Sequence, residues 1–196
     1  MKPFSEASEN NREPILAVLR EAFAQASHIL EIGSGTGQHA VHFGQYLPHL
    51  TWQTSDLAAN HEGIQAWLDE AKLPNVQVPI VLDVNQQPWP VAPVDGVFTA
   101  NTLHIISWSE VVCLMAGVGQ ALQQGGVLCI YGPFNYGGEF TSESNARFDV
   151  WLKERNPVSG VRDFEAVCDA AMKNGLTLHQ DHIMPVNNRT LVFHKR

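Results

Sequence analysis

Five strand-like runs interleaved with helical stretches constrain this chain more than any single motif does. HILEI (His28–Ile32), LTWQTSD (Leu50–Asp56), VPIVLDV (Val78–Val84), DGVFTAN (Asp95–Asn101) and VLCIYG (Val127–Gly132) are short, and either apolar or alternating. Helical spacing predicts helices over Pro14–Gln25, Thr36–Leu47 and, capped by Asn60, through Lys72. Further helices are predicted from Ser107 or Ser109 to Leu122, over Ser144–Arg155, and over Phe164–Lys173 behind Asp163 as a cap. Each parallel strand pairing needs a crossover, so alternation of this kind builds a parallel sheet covered by helices on both faces. The last two runs, Leu176–Pro185 and Thr190–Arg196, are joined by Asn187-Asn188-Arg189, a hairpin signal that adds an antiparallel strand. The expectation is one doubly wound α/β domain over residues 1–196, with a mostly parallel seven-stranded sheet and a polar N-terminal arm at 1–13. Phe43, Trp67, Phe98 and Trp151 are expected in its core.

Composition narrows the partners. Twenty acidic residues against twelve basic ones give a formal charge of −8, which argues against nucleic acid, whose backbone demands a Lys/Arg footprint. No apolar run is long enough for a membrane span, and the N-terminus lacks the apolar stretch of a secretion signal. Three scattered cysteines without CxxC spacing fit neither a disulfide framework nor a zinc ribbon, so a cytoplasmic setting is expected. The pairs His39/His42 and His179/His182 have no third ligand in sequence reach and read as packing or surface residues; no metal is expected.

The chemistry concentrates after the first strand, in Glu31-Ile32-Gly33-Ser34-Gly35-Thr36-Gly37. Alternate glycines let the backbone turn sharply and come close to a ligand. In an open α/β sheet such a ligand lies beyond the C-terminal strand ends. Nineteen residues past Gly37, Asp56 ends the second strand, where a carboxylate can accept from both hydroxyls of a ribose. Asp83, near the third strand's end, is placed to meet an exocyclic amine of adenine. Read as structure alone, the glycines make a tight turn and the two acids are helix caps; their coincidence points instead to a nucleoside cofactor. A dinucleotide remains the rival, since Gly35, Gly37 and Ala40 satisfy G-x-G-x-x-A.

Glu31-x-Gly33-x-Gly35-x-Gly37 resembles the first motif of class I methyltransferases that use S-adenosylmethionine, and the terminal hairpin matches their antiparallel seventh strand. More narrowly, Gly35-Thr36-Gly37-Gln38-His39-Ala40, Trp52-Gln53-x-Ser55-Asp56, His104-Ile105-x-x-Trp108, Tyr131-Gly132-Pro133-Phe134, Arg162-Asp163 and Met184-Pro185-x-Asn187-Asn188 resemble the methyltransferase-like protein 26 family. The resemblance implies a Rossmann-like fold with S-adenosylmethionine as cofactor. It places Glu31, Gly33, Ser34, Gly35, Thr36 and Gly37 by the methionine moiety, Asp56 with Leu57 at the ribose, and Asp83 with Val84 at the adenine. Asn101 closes that set.

The acceptor side follows from the remaining strand ends. Asn101, His104 and Tyr131 are the catalytic candidates, His104 because a histidine titrates near neutrality. Trp108, Phe134, Asn135, Arg162, Asn187 and Asn188 are the candidates for holding the acceptor, with Arg162-Asp163 as part of a lid. Aromatic and amide groups with few cations point to a small acceptor, neutral or weakly charged. The function expected is methyl transfer to a small molecule. The alternatives are a cofactor-binding module without turnover and a nicotinamide-dependent oxidoreductase. The identity of the acceptor and the oligomeric state stay open at this level.

Overall fold

A computed structural model describes residues 2–196. Helix α1 (Glu6–Ala22) leads into strand β1 (His28–Ile32), helix α2 (Gln38–Tyr46), strand β2 (Thr51–Asp56) and helix α3 (His61–Ala71). Strands β3 (Val76–Val81) and β4 (Val94–Ala100), helix α4 (Trp108–Ala121) and strand β5 (Leu122–Gly132) follow. The two-residue strand β6 (Phe134–Asn135), helix α5 (Glu143–Arg155), the equally short β7 (Arg162–Asp163) and helix α6 (Phe164–Met172) precede the closing hairpin of β8 (Leu176–Met184) and β9 (Asn188–Lys195).

The large sheet has seven strands in the order β3-β2-β1-β4-β5-β9-β8. Its first five run parallel, and β9 inserts antiparallel between β5 and β8. Both faces are covered, as the continuous apolar strands require. Leu30, Ile32 and Val97 point to the side packed by α4 and α6, while Ile29 and Phe98 point to the side packed by α1, α2 and α3. On that second face Phe23, Phe43, Trp52 and Phe98 form one fully buried aromatic cluster.

Several boundaries depart from the sequence reading. Residues 6–13, expected in a polar arm, form the first half of α1, because Ser5 accepts from the Ser8 N–H and starts the helix there. Pro14 is carried inside it. β3 ends at Val81, so Asp83 lies in the turn beyond, accepting from the Asn85 N–H. Of the two cap candidates for α4, Ser107 is the cap, in a reciprocal box with Glu110. Asn60 and Asp163 hold the positions before their helices but make no side-chain cap bond. Trp151 is 46% exposed rather than core, and its ring carries the Arg155 guanidinium.

Candidate functional site

The C-terminal ends of β1, β2, β4 and β5 and the β8–β9 turn meet on one rim. After β1 the backbone turns on Gly33, Gly35 and Gly37, with φ of +69°, +58° and +89°. Gly37 is fixed by contact: a Cβ there would sit 3.1 Å from the Ile64 Cα on α3. Gly35 differs, because a Cβ there would project into open space, with only the Gly33 carbonyl at 3.9 Å. The loop is tied to β2 twice over. Ser34 donates from its backbone to the Ser55 carbonyl, and Asp56 Oδ2 accepts from the Gly35 N–H at 2.8 Å.

Asp56 also accepts from the Leu57 N–H (2.7 Å) and Asn60 Nδ2 (2.8 Å) through Oδ1. A carboxylate offers about four acceptor sites, so a ligand hydroxyl can still be received. Glu31 is buried in mid-strand with no cation beside it. Burial raises its pKa to about 7, against the opposing effect of hydrogen bonds from Trp52 Nε1 (3.1 Å) and Ser34 Oγ (2.8 Å). Leu57 stands 53% exposed next to Asp56. A cavity of about 500 Å³ opens at Gly35, Thr36 and Asn60, walled by Pro3 and Gly63. An open glycine face, the Asp56 carboxylate at the end of β2 and the exposed Leu57 beside it suit an adenosine-bearing ligand, and these residues fit S-adenosylmethionine.

A second cavity, of about 380 Å³, lies on the β5 side of the rim. Asn101 and Tyr131 form its floor end, Pro185, Val186 and Asn188 bring the hairpin turn to it, and Phe148 closes it from α5. Asn101 sits at φ +55° and donates its N–H to the Tyr131 carbonyl, which fixes the two strand ends together. Asn11 and Asn188 approach the Tyr131 hydroxyl, whose pKa is raised by burial.

The sequence candidates divide. Asn101, Tyr131 and Asn188 line this cavity, and Asn187 braces it by donating to Ser144 and accepting from Asn145. His104 does not line it; the ring stands behind Phe148, 5.3 Å between centroids. Burial, with Arg162 adding, lowers its pKa to about 4, so it is a neutral and weak base at physiological pH. Arg162 is no lid: its guanidinium donates to the carbonyls of Leu103, Ile106 and Val158 and so pins the loop after β4. Trp108 begins α4 at 37% exposure, Phe134 is core, and Asn135 is buried in the small sheet; none borders the cavity. Asp83 and Val84 lie past β3 on the far side from it.

Sequence reasoning missed Asn11, Asn145, Phe148 and Val186. The signal for the first was present, since Ser5 followed by Glu6 and Glu9 marks a helix start that carries Asn10 and Asn11 onto the rim.

A family model described as a protein of unknown function, DUF938, matches residues 2–195. The chain belongs to that family. Among solved structures, an O-methyltransferase family 2 protein from Planctomyces limnophilus, crystallised with apigenin, superposes with a TM-score of 0.86 at 15% identity over 97% of this chain and 58% of the other. An O-methyltransferase family protein from Burkholderia thailandensis gives 0.83 at 16% identity, over 93% and 55%. The S-adenosylmethionine-dependent methyltransferase SibL gives 0.82 at 20% identity, over 96% and 55%. This DUF938 chain therefore has the Rossmann-like fold of class I methyltransferases, and it spans little more than half the length of the structures it matches.

Proposed function

We propose that this protein is an S-adenosylmethionine-dependent methyltransferase that acts on a small-molecule acceptor. The observation that carries the reading is the convergence on one rim of an open glycine turn, the loop-tied Asp56 and a cavity beginning at Asn101. The resemblance of the chain's glycine motif to that of class I methyltransferases supports it, as does a structural neighbour solved with S-adenosylhomocysteine.

Gly33–Gly37 and Asp56 with Leu57 would hold the methionine and ribose parts of the donor, and Asp83 with Val84 the adenine. Bound there, S-adenosylmethionine supplies an electrophilic methyl carbon on a sulfonium. The chain's own residues do the rest by position. Pro133, Phe148, Pro185 and Val186 give the cavity its apolar walls. Asn101, held in its left-handed geometry at the end of β4, marks the boundary between donor and acceptor. His104, buried behind Phe148, is a poor proton acceptor, so the acceptor atom enters with a free lone pair or loses its proton to solvent after transfer. No helix among the described residues is long and apolar enough to cross a membrane.

Isothermal titration with S-adenosylhomocysteine, followed by transfer of a labelled methyl group to a metabolite panel, tests this. The reading expects binding and transfer. Binding without transfer to any compound would leave a module without turnover.

A further inference from the structure

The cavity beside Tyr131 is lined entirely by residues without formal charge. Among its polar groups are Asn145 and Tyr131, whose hydrogen-bond sense can be worked out. Asn145 is 5% exposed and spends both amide hydrogens within the protein, on Thr141 Oγ1 (3.0 Å) and the Asn187 carbonyl (3.1 Å). Its Oδ1 has no partner among the described residues, so toward the cavity Asn145 is an acceptor only.

Tyr131 has the opposite sense. Asn11 holds its Oδ1 2.7 Å from Nε2 of the buried His39. Asn11 and Asn188 both reach the Tyr131 oxygen, and each lowers the hydroxyl's pKa, the effect of an amide N–H donated to that oxygen. With donors on its oxygen, the hydroxyl has its hydrogen left for the cavity. A donor and an acceptor thus face one uncharged space.

We propose that this cavity selects an uncharged acceptor with a carboxamide-like edge, whose carbonyl oxygen takes the Tyr131 hydroxyl hydrogen while a neighbouring N–H or O–H reaches Asn145 Oδ1. The proposal names the substrate class of the site described above and rests on that reading for methyl transfer, but not for binding. A carboxylate would set an anionic oxygen against Asn145 Oδ1, and neither it nor an ammonium group would find a counter-charge in the lining to offset its desolvation.

Ligand-observed NMR titrations of the full chain with benzamide, benzoate and benzylamine, each with and without S-adenosylhomocysteine, test it. Benzamide should bind at least about tenfold more tightly than either charged probe, a difference of about 1.4 kcal/mol. Tyr131→Phe should weaken benzamide about fivefold, as loss of one hydrogen bond predicts, and leave the affinity for S-adenosylhomocysteine unchanged. Charged probes bound as tightly as benzamide, benzamide not bound at millimolar concentration, or an unaltered benzamide affinity in Tyr131→Phe would overturn the proposal. Failure of S-adenosylhomocysteine to bind would instead sink the methyl-donor reading and leave the probe ranking to stand by itself.

Discussion

At the scale of single residues, two carboxylates decide how the rim behaves. Asp56 joins the glycine turn to β2 and is the proposed ribose anchor, so Asp56→Ala removes a charge-assisted bond to the Gly35 N–H as well as a ligand contact. The variant should lose about 1.5–3 kcal/mol of affinity for S-adenosylhomocysteine, measured by isothermal titration; an unchanged dissociation constant would remove Asp56 from the site. Glu31 works through burial. Its folded-state pKa of about 7 lies above the ordinary 4.5, so the folded state holds an extra proton between those values and stability falls as pH rises through them. Glu31→Gln keeps an oxygen for Trp52 and Ser34, and its stability relative to the parent should rise from pH 5 to pH 8 in urea denaturation. A pH-independent difference would mean that Glu31 ionises freely. Asp56 stood out by its spacing from the glycine turn, and Glu31 by the resemblance of its motif to that of class I methyltransferases. Asn145 did not, because its role comes from a hydrogen-bond count that only the assembled α5 and hairpin supply.

At the scale of elements, β1, β2 and β4 were read within about one residue at each end, because buried parallel strands print their apolar pattern directly, whereas β5 begins at Leu122, ahead of the expected Val127. β3 was extended too far because Leu82 and Val84 continue the apolar run while pairing to β2 stops at Val81. The first half of α1 was read as an arm because its residues are polar, yet the face they present is the wall of a cavity rather than a core. Periodicity of apolar side chains cannot register such a face. The hairpin turn is strained at Val186, a β-branched residue at φ +59° and 79% exposed. Left-handed backbone costs such a side chain about 1–2 kcal/mol relative to residues that tolerate it. Val186→Asn should therefore raise stability by about 0.5–1 kcal/mol in thermal or chemical denaturation; a loss would show that Val186 stabilises the turn by packing.

For the molecule as a whole, His39 and His104 are both buried and held near a pKa of about 4, below the usual 6.5. Below pH 6.5 the unfolded chain binds protons that the folded chain refuses, so stability falls as pH drops toward 4, by about 1.4 kcal/mol per pH unit for each histidine. Glu31 acts in the opposite direction over the upper part of that range. The decline on acidification should consequently be steeper in Glu31→Gln than in the parent, and denaturation midpoints between pH 4 and 7 will show it; parallel profiles would refute the coupling. The same architecture that buries these groups sets the glycine turn, Asp56, Asn101 and Tyr131 at the C-terminal ends of parallel strands of one sheet. Equilibrium dialysis of the full chain against radiolabelled S-adenosylmethionine tests that arrangement most directly. The account predicts retention at about one mole per mole of protein, abolished by excess S-adenosylhomocysteine and weakened in Asp56→Ala. Equal label on both sides of the membrane, with the protein folded, would contradict it.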